Sequence, residues 1–401
     1  MGNYDVNCLD YRQVIFCLAK TVVVLGGGAG GVAAVNVLSK TLSRNNRIIL
    51  VDRKESYHFQ GAFPLLMVNQ RRPAQLTKRL DNLERKGIEF FQAEVKQIRP
   101  QQNLVDTSRE SLCYDYLVIA LGAEHHPETV PGMAEGSYNP WRFEGACQLR
   151  HKLSRFKRGK IVFFMASTPF SCPIAPYEII FLLDDYYRRR GLRQQVELTL
   201  VTPEPTPEPL AGPKVGESVR QMMEERGITL ITQAKVLCLD TDQNRLLLDH
   251  GIEIPGDLFI GVPSHWGPAA LRGSGLTEEG GWVDVDPHTL NTRAENVFAI
   301  GDAAALKLPV TKVWAPKAGI FAHYQGEVVA RNIASLIAGE CPSFRYTAKG
   351  FWIMLTGSGR ARYCTVRYRT EPKALITMLR PTRAAYLAKL AIEKYWLVRW
   401  F

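Results

Sequence analysis

The sequence predicts an α/β protein with two Rossmann-like dinucleotide-binding units, the second inserted into the first, and a C-terminal region of different character. Three observations predict it. Apolar β-type runs alternate with helical patterns through most of the 401 residues, as in a parallel sheet with crossover helices. A complete Gly-x-Gly-x-x-Gly follows the first of these runs. A second run of the same kind, Lys160–Met165, opens a second unit that has no glycine loop.

The first unit begins with the strand Thr21–Leu25, followed by Gly26, Gly28 and Gly31 in the sequence GGGAGG. Gly26 turns the chain out of the strand. Gly28 lets the backbone approach a pyrophosphate, and Gly31 lets the following helix, read over Val32–Leu38, pack on the strand. That helix aims free N–H groups and a positive dipole end at the phosphates, with Ala29 and Gly30 completing the loop. Arg47–Val51 reads as the next buried strand and ends in Asp52, about 20 residues past the glycines, where a carboxylate accepts ribose hydroxyls. This favours FAD or NAD over a 2′-phosphorylated dinucleotide. Arg53 beside it, Val95, Ala120 and Gly122 complete the expected cofactor contacts of this unit.

Two further segments resemble motifs of flavoproteins with two dinucleotide-binding domains. Glu295–Ile300 followed by Gly301-Asp302-Ala303-Ala304 is similar to their second flavin fingerprint. Tyr114-Asp115-Tyr116 leading through Leu117–Ala120 into Leu121-Gly122-Ala123 is similar to their middle motif. The resemblance implies FAD, with Asp302 on the ribityl chain and the helix after Lys317 and Ala318 facing the flavin.

The second unit differs. After Lys160–Met165 the chain reads ASTPFSCPIAPYE, with Cys172 where a loop meets a helix and no glycine before Gly191. The next strand, Val196–Val201, ends in Thr202-Pro203-Glu204-Pro205. Without glycines the backbone cannot approach a pyrophosphate closely, so this unit reads as a scaffold emptied of NAD. A cysteine reacts as thiolate, and a helix N-terminus lowers a thiol pKa; Cys172 is expected to benefit from both.

Ser171–Glu178, Phe181–Gly191, Val201–Pro205, Gly301–Leu306 and Pro316–Gly319 together resemble sulfide:quinone oxidoreductases and the flavoprotein subunit of flavocytochrome c sulfide dehydrogenase. The likeness runs from about residue 20 to the end of the chain. It implies that Cys172 takes up sulfur beside the flavin, that Glu178 handles protons, that Lys317 supplies positive charge at the flavin, and that a quinone accepts the electrons near Phe351, Trp352 and the tail. The chain departs from the family in one respect. Trp352 stands where the family has its second redox cysteine, and neither Cys341 nor Cys364 matches that position. A single-thiol mechanism passes its sulfur to an external acceptor such as glutathione, sulfite or another sulfide. A type II NADH:quinone dehydrogenase has a similar layout but needs the second glycine loop. A flavin-binding redox sensor without turnover is the third reading.

Residues 20–135 and 280–335 are expected to form the FAD domain, 140–275 the emptied domain, and 336–401 the C-terminal region. The eight cysteines form no CxxC pair and no framework, which fits reduced usage; Cys113 and Cys238 are expected in buried strands. No metal spacing is present, and His125-His126 reads as loop surface. Residues 1–20 lack the basic start and long apolar centre of a signal peptide. In the tail, apolar Leu375, Ile376, Met378 and Leu379 precede Pro381. A second stretch then mixes Trp396, Trp400 and Phe401 with Lys389, Lys394 and Arg399. Two amphipathic helices are expected here, seated on the cytoplasmic face of a membrane as a peripheral contact. The net charge of +11 suits anionic headgroups. No nucleic-acid motif is present, and a homo-oligomer stays open.

Overall fold

The computed structural model describes residues 19–308, 312–368 and 374–401; the N-terminal extension with Cys8 and Cys17 lies outside them. Five parallel strands form the first sheet, in the order Val297–Ala299, Tyr116–Ile119, Thr21–Leu25, Arg47–Asp52, Glu89–Gln92. Thr21–Leu25 is central, and Val22 to Leu25 are fully buried, which explains a run apolar at every position rather than at alternate ones. Leu25 pairs with both Val51 and Ile119. The glycine loop, Asp52 and Ala120 therefore leave the sheet at the same end, in the crevice beyond the strand C-termini.

The helix after the glycine loop is longer than its apolar core suggests, covering Ala29–Thr41, and it packs on Gly319–Ile337. A Cβ on Gly326 would lie 2.4 Å from the Gly30 carbonyl oxygen. The missing side chain lets the two backbones touch and sets the second helix beside the loop.

The second sheet is also parallel, ordered Ser137–Tyr138, Leu258–Val262, Gly159–Met165, Val196–Val201, Ile228–Ile231. The chain crosses between the sheets twice, as Glu124–His126 and Ser264–Trp266, which pair antiparallel. His125 and His126 thus belong to this connection and are half-buried, not loop surface. The His125 ring lies 4.3 Å from that of His265, and burial lowers His125 to about 2. Cys113 is exposed and Cys238 half-buried, because both sit in small antiparallel sheets appended to the main ones.

The C-terminal region corrects a second expectation. Lys349–Gly357 and Arg360–Arg367 form a hairpin, and Leu375–Met378 is its third strand rather than a helix. Four residues ahead of Pro381 are too few for a stable helix, and the ladder satisfies their backbone instead. One helix follows, Arg383–Arg399, capped by the Thr382 hydroxyl, which accepts from the Ala385 N–H at 3.1 Å. Among the described residues no helix is long and apolar enough to cross a membrane.

The aromatic end of this helix is a core element. Trp396 and Trp400 are buried, with their rings 4.9 and 4.8 Å from that of His323. Buried Glu393 accepts from Arg71 Nε at 2.7 Å. Arg71→Leu strands that carboxylate and is expected to cost about 3–5 kcal/mol, while Arg71→Leu/Glu393→Leu recovers most of the loss. Urea unfolding of the two variants checks this.

Candidate active site

The glycine loop has the geometry of a phosphate cradle. Gly26 adopts φ 103°, and a Cβ there would lie 2.3 Å from the Ala120 oxygen. A Cβ on Gly31 would lie 1.9 Å from the Gly26 oxygen, so the helix packs directly on the turn. A Cβ on Gly28 would meet nothing within 4 Å. The loop is thus crowded on its inner side and open on its outer one. No side chain caps the helix at Gly28, so its first-turn amides, including those of Gly30 and Gly31, face that opening. Asp52 is held over the loop, accepting from the Gly27 amide at 2.6 Å and from the Lys54 amide at 2.8 Å.

The other expected contacts surround this cradle unevenly. Gly122 has φ 74° and open space beside it. Gly301 has φ 68° and donates its amide to Gln325 Oε1 at 2.6 Å. Val95 is half-buried at the start of its strand, and Arg53 is exposed, 3.8 Å from Glu94. Ala318 is the uncapped N-cap residue of Gly319–Ile337. Open space at Gly28, free amides and a poised carboxylate together fit a dinucleotide.

Lys317 is turned toward the main chain of the Asp302 turn. Its ammonium donates to the carbonyls of Asp302 and Ala304 at 2.7 and 3.2 Å and lies 3.8 Å from the Trp282 ring centroid. Burial lowers it to about 8. Its hydrogen bonds go to backbone and its charge to an indole face. Its main chain does more: the Lys317 carbonyl accepts the Cys172 amide at 2.5 Å, and Lys317 bridges to Ser171. The Ser171 hydroxyl donates to the Asp302 carboxylate. The fingerprint of the first unit and the thiol loop of the second are thereby joined.

Cys172 is half-buried and held at φ 54°, a left-handed conformation uncommon for a residue with a side chain. Its thiol is pushed up to about 12, first by burial and then by the negative charge of Glu178, with Lys389 acting the other way. The expected lowering by the helix terminus is absent. The helix Ala175–Arg189 starts three residues later, and its first turn carries Glu178 itself. Desolvation and a nearby carboxylate outweigh the dipole.

Glu178 is buried and accepts the Leu355 amide at 3.3 Å and the Lys389 ammonium. Burial raises its carboxyl above the ordinary range, with Lys389 opposing. Lys389 comes from the C-terminal helix and also donates to the Ile353 carbonyl at 3.0 Å. Sequence reading missed this residue, because a lysine inside an amphipathic pattern carries no signal of a partner 211 positions away. It also missed the setting of Trp352. In the hairpin Trp352 pairs directly with Cys364, which is buried and pushed up to about 12 by desolvation. A thiol therefore stands across the ladder from the position where the cysteine is lacking.

At the tip of Val196–Val201 the acids fold inward. Glu204 accepts from the Tyr177 hydroxyl at 2.6 Å, and its amide donates to Thr202 Oγ1 at 3.1 Å. Both Glu204 and Glu208 are buried. Neither carboxylate is presented to a ribose.

Comparison with known proteins agrees with this geometry. The model of the pyridine nucleotide-disulphide oxidoreductase family matches residues 20–163 and 183–326. The mitochondrial sulfide:quinone oxidoreductase of Mus musculus is 26% identical over 388 residues, 93% of this chain and 84% of that protein. The sulfide-quinone reductase of Aquifex aeolicus is 27% identical over 95% of this chain and 91% of its own length. The crystal structure of the Aquifex aeolicus enzyme superposes with a TM-score of 0.86 at 25% identity, covering 95% of this chain and 91% of that one. A type II NADH:quinone oxidoreductase of Staphylococcus aureus is 25% identical over 82% of this chain and 86% of its length. With the cradle, Asp52 and the Gly301-Asp302 turn in place, this chain belongs to the pyridine nucleotide-disulphide oxidoreductase family and is an oxidoreductase whose cofactor is FAD.

Proposed function

We propose that the protein oxidises sulfide, or a closely related sulfur compound, and passes the electrons to a quinone. The observation that carries this reading is the placement of Cys172. The loop that carries this half-buried thiol is clasped to Lys317 through the Cys172 amide and to Asp302 through the Ser171 hydroxyl, while the second unit lacks the glycine loop that NADH requires. Gly26, Gly28, Ala29, Gly30, Gly31 and Asp52 hold the adenosine and pyrophosphate. Gly301, Asp302 and the uncapped amides beyond Ala318 serve the flavin end.

In this reading the sulfur of hydrosulfide and Sγ of Cys172 form an S–S bond, leaving a persulfide, one proton and two electrons. FAD, when bound, supplies the two-electron acceptor. Glu178 manages protons near the sulfur, with its charge balanced by Lys389. Lys317 acts through its main chain as a strut for Cys172 and through its charge at the Asp302 turn. Trp352 replaces a second thiol, so the persulfide sulfur leaves to an external nucleophile such as sulfite, glutathione or a second hydrosulfide. The type II NADH dehydrogenase reading has relatives in its favour. The inward-turned Glu204 and the glycine-free loop stand against it.

Peripheral membrane contact, on the cytoplasmic side, belongs to the same proposal, and exposed apolar side chains support the contact itself. Leu387, Tyr395 and Val398 of the last helix are 62%, 60% and 75% exposed, and Leu375 and Leu379 are 54% and 51% exposed. The net charge of +11 suits an anionic bilayer.

Anaerobic sulfide is expected to bleach the flavin spectrum, and a soluble quinone to restore it. Cys172→Ser is expected to slow the bleaching by about three orders of magnitude. Bleaching by NADH instead, or an unaffected Cys172→Ser protein, overturns the assignment. Flotation with vesicles of phosphatidylglycerol is expected to carry the protein upward, and Leu387→Glu/Val398→Glu to leave it at the bottom with its flavin retained.

A further inference from the structure

We propose that the cavity at the C-terminal end of the helix Arg383–Arg399 is a site for the phosphate headgroup of an anionic phospholipid. The proposal rests on the reading that this helix meets a membrane, and it names what the helix binds there. The cavity measures about 430 Å³ and is lined by Lys86, Lys394, Tyr395, Val398, Arg399 and Phe401. Lysine and arginine make up half of that lining, and no aspartate or glutamate belongs to it. Lys40 stands close by. Its ammonium lies 5.6 Å from the centroid of the Trp400 ring, which the Arg399 guanidinium also flanks, at 6.0 Å.

The charges of this helix divide by face. Glu393 turns inward to Arg71, and Lys389 turns inward to Glu178. Lys394 and Arg399 are exposed. Neither they nor Lys40 and Lys86 form an ion pair among the described residues. Glu327, the acid that acts on Lys40 from Gly319–Ile337, is engaged by His323 and Arg331, each at 3.4 Å. A helix C-terminus by itself repels an anion, because its last carbonyls carry the negative end of the dipole. Here those carbonyls are taken up by the protein. Lys86 Nζ donates to the Arg399 carbonyl at 3.4 Å and to Asn36 Oδ1 at 2.8 Å. Asn36 Nδ2 donates to the Trp400 carbonyl at 3.0 Å. An ammonium has three donors, so Lys86 keeps one. Burial first, and neighbouring cations second, lower both Lys40 and Lys86. Like charges are thus crowded where a bound anion relieves them.

The apolar part of the lining decides between a lipid and a free anion. Tyr395 and Val398 are exposed apolar side chains at the cavity's edge. Leu387, Lys394 and Val398 recur at the spacing of one helical face, so the exposed apolar stripe runs into the cavity. The Phe401 ring packs 4.9 Å from that of buried Tyr57 and fixes the other side. A free phosphate leaves Tyr395 and Val398 in water. A phospholipid places its phosphate among the ammonium and guanidinium groups and its acyl chains along Val398 and Tyr395, which covers both.

The test is calorimetric titration of the flavin-loaded protein with dihexanoyl phosphatidylglycerol held below its micelle concentration, so that the bulk charge of a bilayer plays no part. Saturable binding is expected. Dihexanoyl phosphatidylcholine and glycerol phosphate are each expected to bind more weakly, by about tenfold or more. Lys394→Gln/Arg399→Gln, with its flavin spectrum retained, is expected to weaken phosphatidylglycerol binding about thirtyfold. Arg272→Gln/Arg293→Gln, which removes two exposed arginines outside the cavity, is expected to bind like the parent. Equal binding of the two lipids overturns the proposal. So does glycerol phosphate bound as tightly as phosphatidylglycerol, or a Lys394→Gln/Arg399→Gln protein that matches the parent. Flotation separates this result from the reading beneath it. A protein that ignores vesicles of both lipids defeats membrane contact, whereas one that floats on them but shows no preference in the titration defeats only the headgroup site.

Discussion

The contacts between Ser171-Cys172 and Asp302-Lys317 join the two dinucleotide-type units of this molecule. The two parallel sheets each end in a crevice, and neither crevice alone places a thiol beside a flavin turn. The Cys172 amide on the Lys317 carbonyl and the Ser171 hydroxyl on Asp302 bring the two ends face to face. Both contacts depend on earlier constraints. Asp302 follows Gly301, which has positive φ, and Cys172 itself takes a left-handed backbone. Strain of this kind persists where the surrounding structure over-determines it. Here a parallel bridge and two hydrogen bonds provide that constraint.

The C-terminal region belongs to the same arrangement. Its helix sends Lys389 to Glu178 and buries Trp396 and Trp400 against His323. Its sheet supplies the Leu355 amide to Glu178 and sets Arg362 and Cys364 beside the buried acids. One face of the helix is therefore part of the active-site wall, and the other carries exposed Leu387, Tyr395 and Val398. Any surface that docks on the outer face lies one helix thickness from Glu178.

Electrostatics also decides what the second unit does. Glu204 at its tip is turned inward and partnered by Tyr177 and Thr202, so a position suited to a ribose becomes part of the core. Desolvation dominates Glu204, Glu208 and the Cys172 thiol, and all three shift toward their neutral forms.

The nucleotide cradle, Asp52, the strand Thr21–Leu25 and the position of Cys172 before a helix were legible in the sequence. Each is encoded by contiguous residues whose roles follow from local backbone geometry: a glycine at positive φ with others where a Cβ has no room, an apolar run, a carboxylate at a strand end. The third strand at Leu375–Met378, the burial of the tail's tryptophans, the Lys389 partner of Glu178, the pairing of Cys364 with Trp352 and the backbone-directed ammonium of Lys317 were not legible. These depend on residues far apart in the chain meeting in a low-dielectric interior. There, burial and the choice of partner, not residue type or spacing, decide whether a side chain is core, counter-charge or catalyst.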